Sequence, residues 1–186
     1  HGAAVRNIAT THLLDKVARA FGEQCYEVPV GFKYISAKML ETNAVIGGES
    51  SGGLTVRGHI QGKDGIYAAS LLVEMLAVTG QKLSEIYENI IGEYGRLFMA
   101  ERDYRFTHER KQEIMKLLME EKKLPEFPYE IEKVSYLDGC KVYFKNDGWI
   151  IARFSGTEPL LRIFCEMPEK VTAEAVCDIM KEFLHL

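Results

Sequence analysis

The first half of the chain alternates short extended apolar runs with stretches in which apolar residues recur at helical spacing. The runs at 3–8, 25–28 and 44–46 predict strands. Helices are predicted between and after them, at about 11–21, 32–40, 66–78 and 83–94. Asp64 is suited to cap the third of these helices, and Gly80 is suited to end it. Strands that alternate with helices predict a layered α/β/α domain.

The pattern changes in the second half. An alternating strand is predicted at 97–106, and Thr107 then begins a charged amphipathic helix that continues to about residue 122. The closing helix is predicted at 172–184. Between these helices four short strands are predicted, at 131–136, 141–144, 149–154 and 160–166. Tight turns join them, which predicts an antiparallel sheet and an α+β domain.

These two patterns divide the chain into two domains. The boundary falls between residues 79 and 94, and we assign 1–80 to the α/β/α domain and 81–186 to the small α+β domain with an antiparallel sheet. A chain of 186 residues is long enough to bury a core in each.

Composition and charge argue against several classes of binding partner. The net charge is −4 and the cations are interspersed with acids, which argues against a nucleic-acid surface. No apolar run reaches the ~18 residues of a membrane span, so no membrane partner is expected. The four cysteines form no Cys-x-x-Cys pair, and scattered cysteines in apolar surroundings predict reduced thiols and a cytoplasmic protein. The chain begins at His1 rather than Met, so we expect a fragment or a processed form.

The sharp turn between the last two strands, at 153–159, has the composition of an anion-binding loop. Its arginine offers a planar fork, its serine and threonine add hydroxyl donors, and its glycine lets backbone N–H groups approach an anion. A second arginine follows in the next strand. The alternative is a tight hairpin with polar turn residues. The candidate phosphate-binding residues are Arg153, Ser155, Gly156, Thr157 and Arg162.

A second candidate is the glycine-rich segment at 47–53, which follows a predicted buried strand. Ligands in α/β domains bind at the carboxyl ends of strands. Glu49 can accept hydrogen bonds from sugar hydroxyls, and Ser51 can donate or accept one. The segment is not a nucleotide-binding P-loop, because it lacks the Gly-x4-Gly-Lys-Ser/Thr pattern. The alternative is a flexible glycine loop that binds no ligand.

Taken together, these segments resemble the α-D-phosphohexomutase superfamily. Gly48-Glu49-Ser50-Ser51-Gly52 is similar to the sugar-selecting loop of its third domain, and Arg153 to Pro159 is similar to the phosphate loop of its fourth. Three supporting segments, starting at Thr10, Pro29 and Lys63, match in the same order, so the resemblance runs nearly end to end.

The resemblance implies the C-terminal part of a phosphoglucomutase or phosphomannomutase, with a truncated third domain. In such an enzyme a phosphoserine donates its phosphoryl group to a hexose monophosphate. The resulting bisphosphorylated sugar reverses its orientation in the cleft, and the serine then recovers phosphate from the other position. The implied partners are glucose or mannose phosphates, and magnesium is expected in the full-length enzyme. Lys33 is implied as a catalytic residue that contacts phosphate or assists proton transfer, the alternative being a solvated surface lysine.

The chain also departs from the family pattern. It contains neither a Thr-Ala-Ser-His-Asn-Pro phosphoserine segment nor an Asp-Gly-Asp-x-Asp-Arg metal loop, so we expect no cofactor in this chain and no activity from it alone. Gly53 stands where many members carry His. Two further hypotheses stay open: a non-catalytic sugar-phosphate-binding or interaction module, and a degenerate structural domain.

Overall fold

A computed structural model describes residues 1–156 and 159–186, and it divides the chain into two compact units, His1–Arg96 and Leu97–Leu186. The division falls later than the 80/81 boundary that the sequence predicts. The difference arises because the helix at Leu83–Tyr94 contacts the first helix of the chain, Leu13–Ala20, and therefore belongs with the first unit.

The first unit contains a four-stranded sheet in the order β2-β1-β3-β4. Strand β1 runs parallel to both β2 and β3, whereas β4 runs antiparallel to β3. Strand β4 was not predicted, because three residues beyond a glycine-rich loop carry too little periodicity. The elements are β1 Ala4–Asn7, α1 Leu13–Ala20, β2 Cys25–Val28, α2 Phe32–Thr42, β3 Ile46–Gly48, β4 Leu54–Val56, α3 Gly65–Thr79 and α4 Leu83–Tyr94.

Local signals set the ends of α3 as predicted. The Asp64 carboxylate caps its N-terminus by accepting a 2.9 Å hydrogen bond from the backbone N–H of Tyr67. Gly80 ends it with a left-handed φ of 64°. The core of this unit lies between the sheet and α2, where Val5, Ile35 and Met39 are buried.

The second unit contains a five-stranded antiparallel sheet in the order β5-β9-β8-β7-β6, which confirms the predicted α+β class. The predicted helix ending near residue 122 is α-helical only to Met115 and continues as one turn of π-helix at Lys116–Glu120. The elements are β5 Phe98–Arg105, α5 His108–Met115, β6 Ile131–Ser135, β7 Cys140–Phe144, β8 Trp149–Phe154, β9 Leu160–Met167 and α6 Lys170–Phe183.

One face of this sheet forms the core with α5 and α6, through side chains such as Val142, Ile163 and Met180. Trp149 is fully buried, and its indole N–H donates a 2.9 Å hydrogen bond to Glu166. All four cysteines lie in the described part of the chain with free thiols, three of them buried and Cys25 half-buried. Within the described ranges, no helix is long and apolar enough to cross a membrane.

Candidate functional site

In the first unit, β2 lies next to β1 on one side, and the chain then crosses over so that β3 lies next to β1 on the other side. The carboxyl ends of these parallel strands lie at one edge of the sheet. The space between two strands whose connections diverge is where ligands bind in α/β sheets. Asn7 ends β1 and Gly48 ends β3, so Glu49 projects from this switch point.

Glu49 is a carboxylate with several polar partners at this edge, and its side chain is only 6% exposed. Its Oε1 accepts a 2.9 Å hydrogen bond from the Ser51 hydroxyl and forms an ion pair with the Lys63 ammonium. Its Oε2 accepts a 3.3 Å hydrogen bond from the Asn7 amide. The structure therefore brings together Glu49 and Ser51, as the sequence predicts, and adds Asn7 and Lys63.

These donors keep Glu49 ionised. Desolvation by burial is the largest single influence and would raise the pKa of the carboxyl group, but it is outweighed by the hydrogen bonds and charges of Lys63, Ser51 and Asn7. The net effect holds the pKa of Glu49 below its ordinary value. A buried, ionised carboxylate is a strong acceptor for hydroxyl donors.

The glycine-rich loop that carries Glu49 is closed by hydrogen bonds. The backbone N–H of Glu49 donates to the carbonyl of Gly53 at 3.0 Å, and that of Gly52 donates to the carbonyl of Glu49 at 2.9 Å. The Thr10 hydroxyl accepts a 3.0 Å bond from the N–H of Ser50. The loop is thus tied both to itself and to the end of β1, which favours a defined site over an unstructured loop.

Lys33 follows the carboxyl end of β2, the third parallel strand, and lies in the first turn of α2. It therefore starts from the same edge of the sheet as Glu49. Its side chain is exposed, and its ammonium lies 4.9 Å from the centroid of the Tyr34 ring. The catalytic role implied for Lys33 stays a prediction.

His59 contributes to the structure next to this site. Its Nε2 lies 2.9 Å from an Asp64 carboxylate oxygen, and its ring stacks on Tyr67 with centroids 3.9 Å apart. The backbone N–H of Tyr67 and the His59 ring lower the pKa of Asp64. His59 therefore supports the start of α3. Within residues 1–156 and 159–186, no three His, Cys, Asp or Glu side chains gather as metal ligands.

In the second unit, the predicted phosphate residues lie where β8 and β9 form a hairpin. Arg153 and Arg162 are direct partners in the antiparallel register, so both side chains project from one face of the sheet. The Nε of Arg153 donates a 3.3 Å hydrogen bond to Asp138, and the Nε of Arg162 lies 3.9 Å from an Asp103 carboxylate oxygen. Each guanidinium thus lies within 4 Å of a carboxylate oxygen.

The loop beyond Arg153 is described as far as Gly156. The N–H of Ser155 donates a 2.8 Å hydrogen bond to the carbonyl of Leu160, which closes the hairpin. Among the residues that the structure describes, a Cβ added to Gly156 would meet no heavy atom within 4 Å apart from its chain neighbours. Thr157, the fourth predicted loop residue, lies outside the described residues. The sequence interpretation missed the carboxylate partners Asp103 and Asp138, although a turn was predicted at Asp138-Gly139.

Two family models match this chain. One is described as phosphoglucomutase/phosphomannomutase, alpha/beta/alpha domain III, and matches residues 1–94. The other is described as phosphoglucomutase/phosphomannomutase, C-terminal domain, and matches residues 110–183. The two matches follow the two units seen in the structure.

Individual relatives agree. The chain is 33% identical over 186 residues to a phosphoglucomutase/phosphomannomutase of Thermococcus kodakarensis, covering 100% of this chain and 37% of that protein. It is 31% identical over 182 residues to a phosphoglucosamine mutase of Carboxydothermus hydrogenoformans, covering 90% of this chain and 33% of that protein. A solved structure described as a phosphomannomutase of Thermus thermophilus is similar with a TM-score of 0.76 and 28% identity, covering 100% of this chain and 37% of that one. The chain therefore spans only 33% to 37% of the length of these relatives.

Proposed function

The chain belongs to the phosphoglucomutase/phosphomannomutase family, with its alpha/beta/alpha domain III and its C-terminal domain, and we propose that it is the substrate-binding part of a mutase that interconverts hexose 1-phosphate and hexose 6-phosphate. The observation that carries the proposal is the buried, ionised Glu49 at the switch point of a parallel sheet. A hexose phosphate presents hydroxyls and a phosphate, and the two units each offer groups for one of these.

The first unit is proposed to bind the sugar ring. Glu49 accepts hydrogen bonds from ring hydroxyls, and Ser51 donates or accepts a further one. The contacts from Asn7 and Ser51 already hold the carboxylate in one orientation. An acceptor that is oriented before the ligand arrives loses less entropy on binding. Lys33, at the same edge of the sheet, is proposed to contact phosphate or to assist proton transfer.

The second unit is proposed to bind the phosphate that is not reacting. Arg153 and Arg162 are the cations, and the loop residues Ser155, Gly156 and Thr157 add hydroxyl and backbone donors. Hydrogen bonds to charged groups contribute about 1.5–3 kcal/mol each, so a few of them hold a phosphate against its desolvation cost. Asp138 and Asp103 neutralise the arginines until the phosphate arrives.

The proposed chemistry needs no bond-breaking group in these residues. Positioning and electrostatic stabilisation dominate phosphoryl transfer, and both suit a part of the enzyme that holds the ring and the distal phosphate. The phosphoserine that donates and recovers the phosphoryl group is proposed for the remainder of the enzyme. Magnesium, which is expected in the full-length enzyme, is proposed to bind in the remainder of the enzyme as well. The free thiols favour a cytoplasmic protein.

The alternative function is a non-catalytic module that binds sugar phosphates. It uses the same contacts, so binding alone does not separate the two, whereas turnover does. The similarity to the Thermococcus kodakarensis relative along the whole chain favours the mutase and also provides the test.

The test is a chimera in which these 186 residues replace the matching segment of the Thermococcus kodakarensis relative. Conversion of glucose 1-phosphate to glucose 6-phosphate is measured in a coupled assay. We expect turnover, and we expect Glu49→Gln and Arg153→Ala each to lower kcat/KM about tenfold or more. The matched controls, Glu41→Gln and Arg19→Ala, change exposed residues and should leave it unchanged.

The outcomes separate the hypotheses. A folded chimera that binds glucose 1-phosphate without turning it over favours the non-catalytic module. If the 186-residue chain shows no binding of glucose 1-phosphate at tens of millimolar by NMR titration, and the chimera is also inactive, the structural-domain hypothesis is favoured.

A further inference from the structure

The absence of a side chain at Gly53 leaves space that the side chain of Lys63 occupies. A Cβ built at Gly53 would lie 2.9 Å from both Cδ and Cε of Lys63 and 3.1 Å from Oε1 of Glu49. Distances below 3.0 Å to a side chain require that side chain to move. A side chain at position 53 would therefore require the Lys63 side chain to shift from its place beside the Glu49 carboxylate.

The segment that carries Lys63 is anchored on both sides. The Ser36 hydroxyl of α2 donates a 3.1 Å hydrogen bond to the carbonyl of Gln61, and the Thr55 hydroxyl of β4 donates one of 2.6 Å to the carbonyl of Ile60. Asp64, the next residue after Lys63, caps α3. These bonds fix where the Lys63 backbone lies, so its ammonium is directed toward Glu49 by the fold.

The two members of the Lys63–Glu49 pair differ in exposure. The Glu49 side chain is 6% exposed and that of Lys63 is 51% exposed. The Lys63 ammonium also lies 5.8 Å from the centroid of the Phe32 ring, near the limit for a cation–π contact. A surface pair in the same unit, Lys38–Glu41, has the opposite arrangement, with a glutamate that is 65% exposed.

This asymmetry leaves Lys63 able to contact a second partner besides Glu49. An ammonium group has three N–H donors, and a half-exposed one can turn some of them toward a ligand while it stays near its carboxylate. A sugar hydroxyl both donates and accepts a hydrogen bond. A hydroxyl placed between the two groups donates to Glu49 and accepts from Lys63, which satisfies both charges.

We propose that Lys63 is a substrate-contacting, specificity-determining residue, which donates a hydrogen bond to the same sugar hydroxyl that Glu49 accepts from. The inference rests on the proposed function, since it assumes that Glu49 binds the ring. It adds to the site a hydrogen-bond donor from outside the glycine-rich loop. It also gives Gly53 a role, because a Cβ at that position requires the Lys63 side chain to shift.

The experiment is an NMR titration of the 186-residue chain with glucose 1-phosphate, repeated in the chimera as kcat/KM. We expect Lys63→Ala to weaken binding about tenfold or more, whereas the matched control Lys38→Ala leaves it unchanged. Gly53→Ala should weaken binding with Lys63 still present. In the Lys63→Ala background the further change Gly53→Ala should have a smaller effect, because only the 3.1 Å contact with Oε1 of Glu49 remains.

Deoxy analogues of glucose 1-phosphate, each lacking one hydroxyl, identify the shared group. The analogue that removes the effect of Lys63→Ala should be the same one that removes the effect of Glu49→Gln. Amide spectra of each variant establish that it is folded.

The failures are distinguishable. The inference about Lys63 is overturned, and the proposed function stands, if Glu49→Gln weakens binding and Lys63→Ala does not. The same holds if the effects of the two substitutions on binding are removed by different analogues. If neither the wild-type chain nor the chimera binds glucose 1-phosphate, both are overturned.

Discussion

Arg153 on β8 lies directly across from Arg162 on β9 in the antiparallel register. Side chains of such pairs start about 5 Å apart on one face of the sheet, and like charges in that position destabilise it. The carboxylates of Asp138 and Asp103 offset part of this repulsion. A phosphate carrying about two negative charges is suited to offset it further, because each guanidinium can donate two parallel hydrogen bonds to it.

Inorganic phosphate should therefore raise the melting temperature of the chain, because it binds the folded state. We expect Arg153→Ala or Arg162→Ala to weaken phosphate binding about tenfold or more and to remove most of that shift. The measurement is thermal unfolding followed by circular dichroism at increasing phosphate concentration. Arg19→Ala, which removes an exposed arginine from the other unit, is the control. If phosphate raised the melting temperature of both arginine variants as much as that of the wild type, these arginines would not bind phosphate.

Asp138→Asn should have the opposite effect on phosphate. The change removes the carboxylate that competes for Arg153, so phosphate should bind more tightly while the phosphate-free protein becomes less stable. Calorimetric titration with phosphate, together with urea unfolding, measures both. Weaker phosphate binding in this variant would contradict the idea that the aspartate and the ligand use the same guanidinium.

Gly139 is required by the turn that carries Asp138. Its φ is 92°, and a Cβ there would lie 2.5 Å from the carbonyl oxygen of Ala152 and 2.7 Å from Cβ of Arg153. We expect Gly139→Ala to lower the free energy of unfolding by about 2 kcal/mol or more, since it combines backbone strain with a close contact. The control is Gly92→Ala in α4, where an added Cβ meets nothing within 4 Å and the change should stabilise the helix by about 0.5–1 kcal/mol. Equal stability of the two variants in urea unfolding would contradict this account.

The depressed pKa of Glu49 predicts a pH dependence. Because its folded-state pKa lies below the ordinary value of 4.5, the stabilisation from its ionised form is present above pH 4.5 and is lost as the pH falls through the folded-state pKa. An NMR titration of the Glu49 carboxyl carbon should give a midpoint below 4.5. In urea unfolding, Glu49→Gln should have a lower free energy of unfolding than the wild type at neutral pH, and that free energy should change less as the pH is lowered. The Glu41→Gln variant should show the same pH dependence as the wild type. A midpoint above 4.5 would mean that burial outweighs the three donors.

Trp149 combines packing with a buried hydrogen bond. Its side chain is fully buried, its N–H donates to Glu166, and the ammonium of Lys141 lies 4.1 Å from the centroid of its ring. We expect Trp149→Phe to lower the free energy of unfolding by about 2–3 kcal/mol, because it leaves a buried carboxylate without one donor and creates a small void. The measurement is urea unfolding by circular dichroism, since the variant lacks the only tryptophan. Met99→Leu, at a partly exposed site on β5, should change stability by less than about 0.5 kcal/mol.

Much of the fold could be predicted because its signals are local. Asp64 and Gly80 mark the ends of α3 by capping, and α4 has the bounds that periodicity predicts. The four antiparallel strands of the second half are separated by turn residues, so their order follows from the sequence. The opposition of Arg153 and Arg162 is a consequence of the same hairpin.

The missed parts depend on contacts between distant residues. Asn7 is 42 positions from Glu49, and no local pattern indicates that its amide donates to that carboxylate. Lys63 lies in the segment between β4 and α3, and its approach to Glu49 depends on β4, which periodicity did not predict. The domain boundary at 80/81 was placed too early for a similar reason, since the packing of α4 against α1 is a tertiary contact.

The close approach of Lys63 to Gly53 links two positions in the evolution of the family. A lineage that gains a side chain at position 53 should crowd a lysine at 63, and one that loses the lysine should tolerate larger residues at 53. In an alignment of relatives, these two columns should therefore covary, with a long amine at 63 confined to sequences that have glycine at 53. Relatives could thus be sorted by which of the two positions supplies the side chain beside the glutamate that corresponds to Glu49.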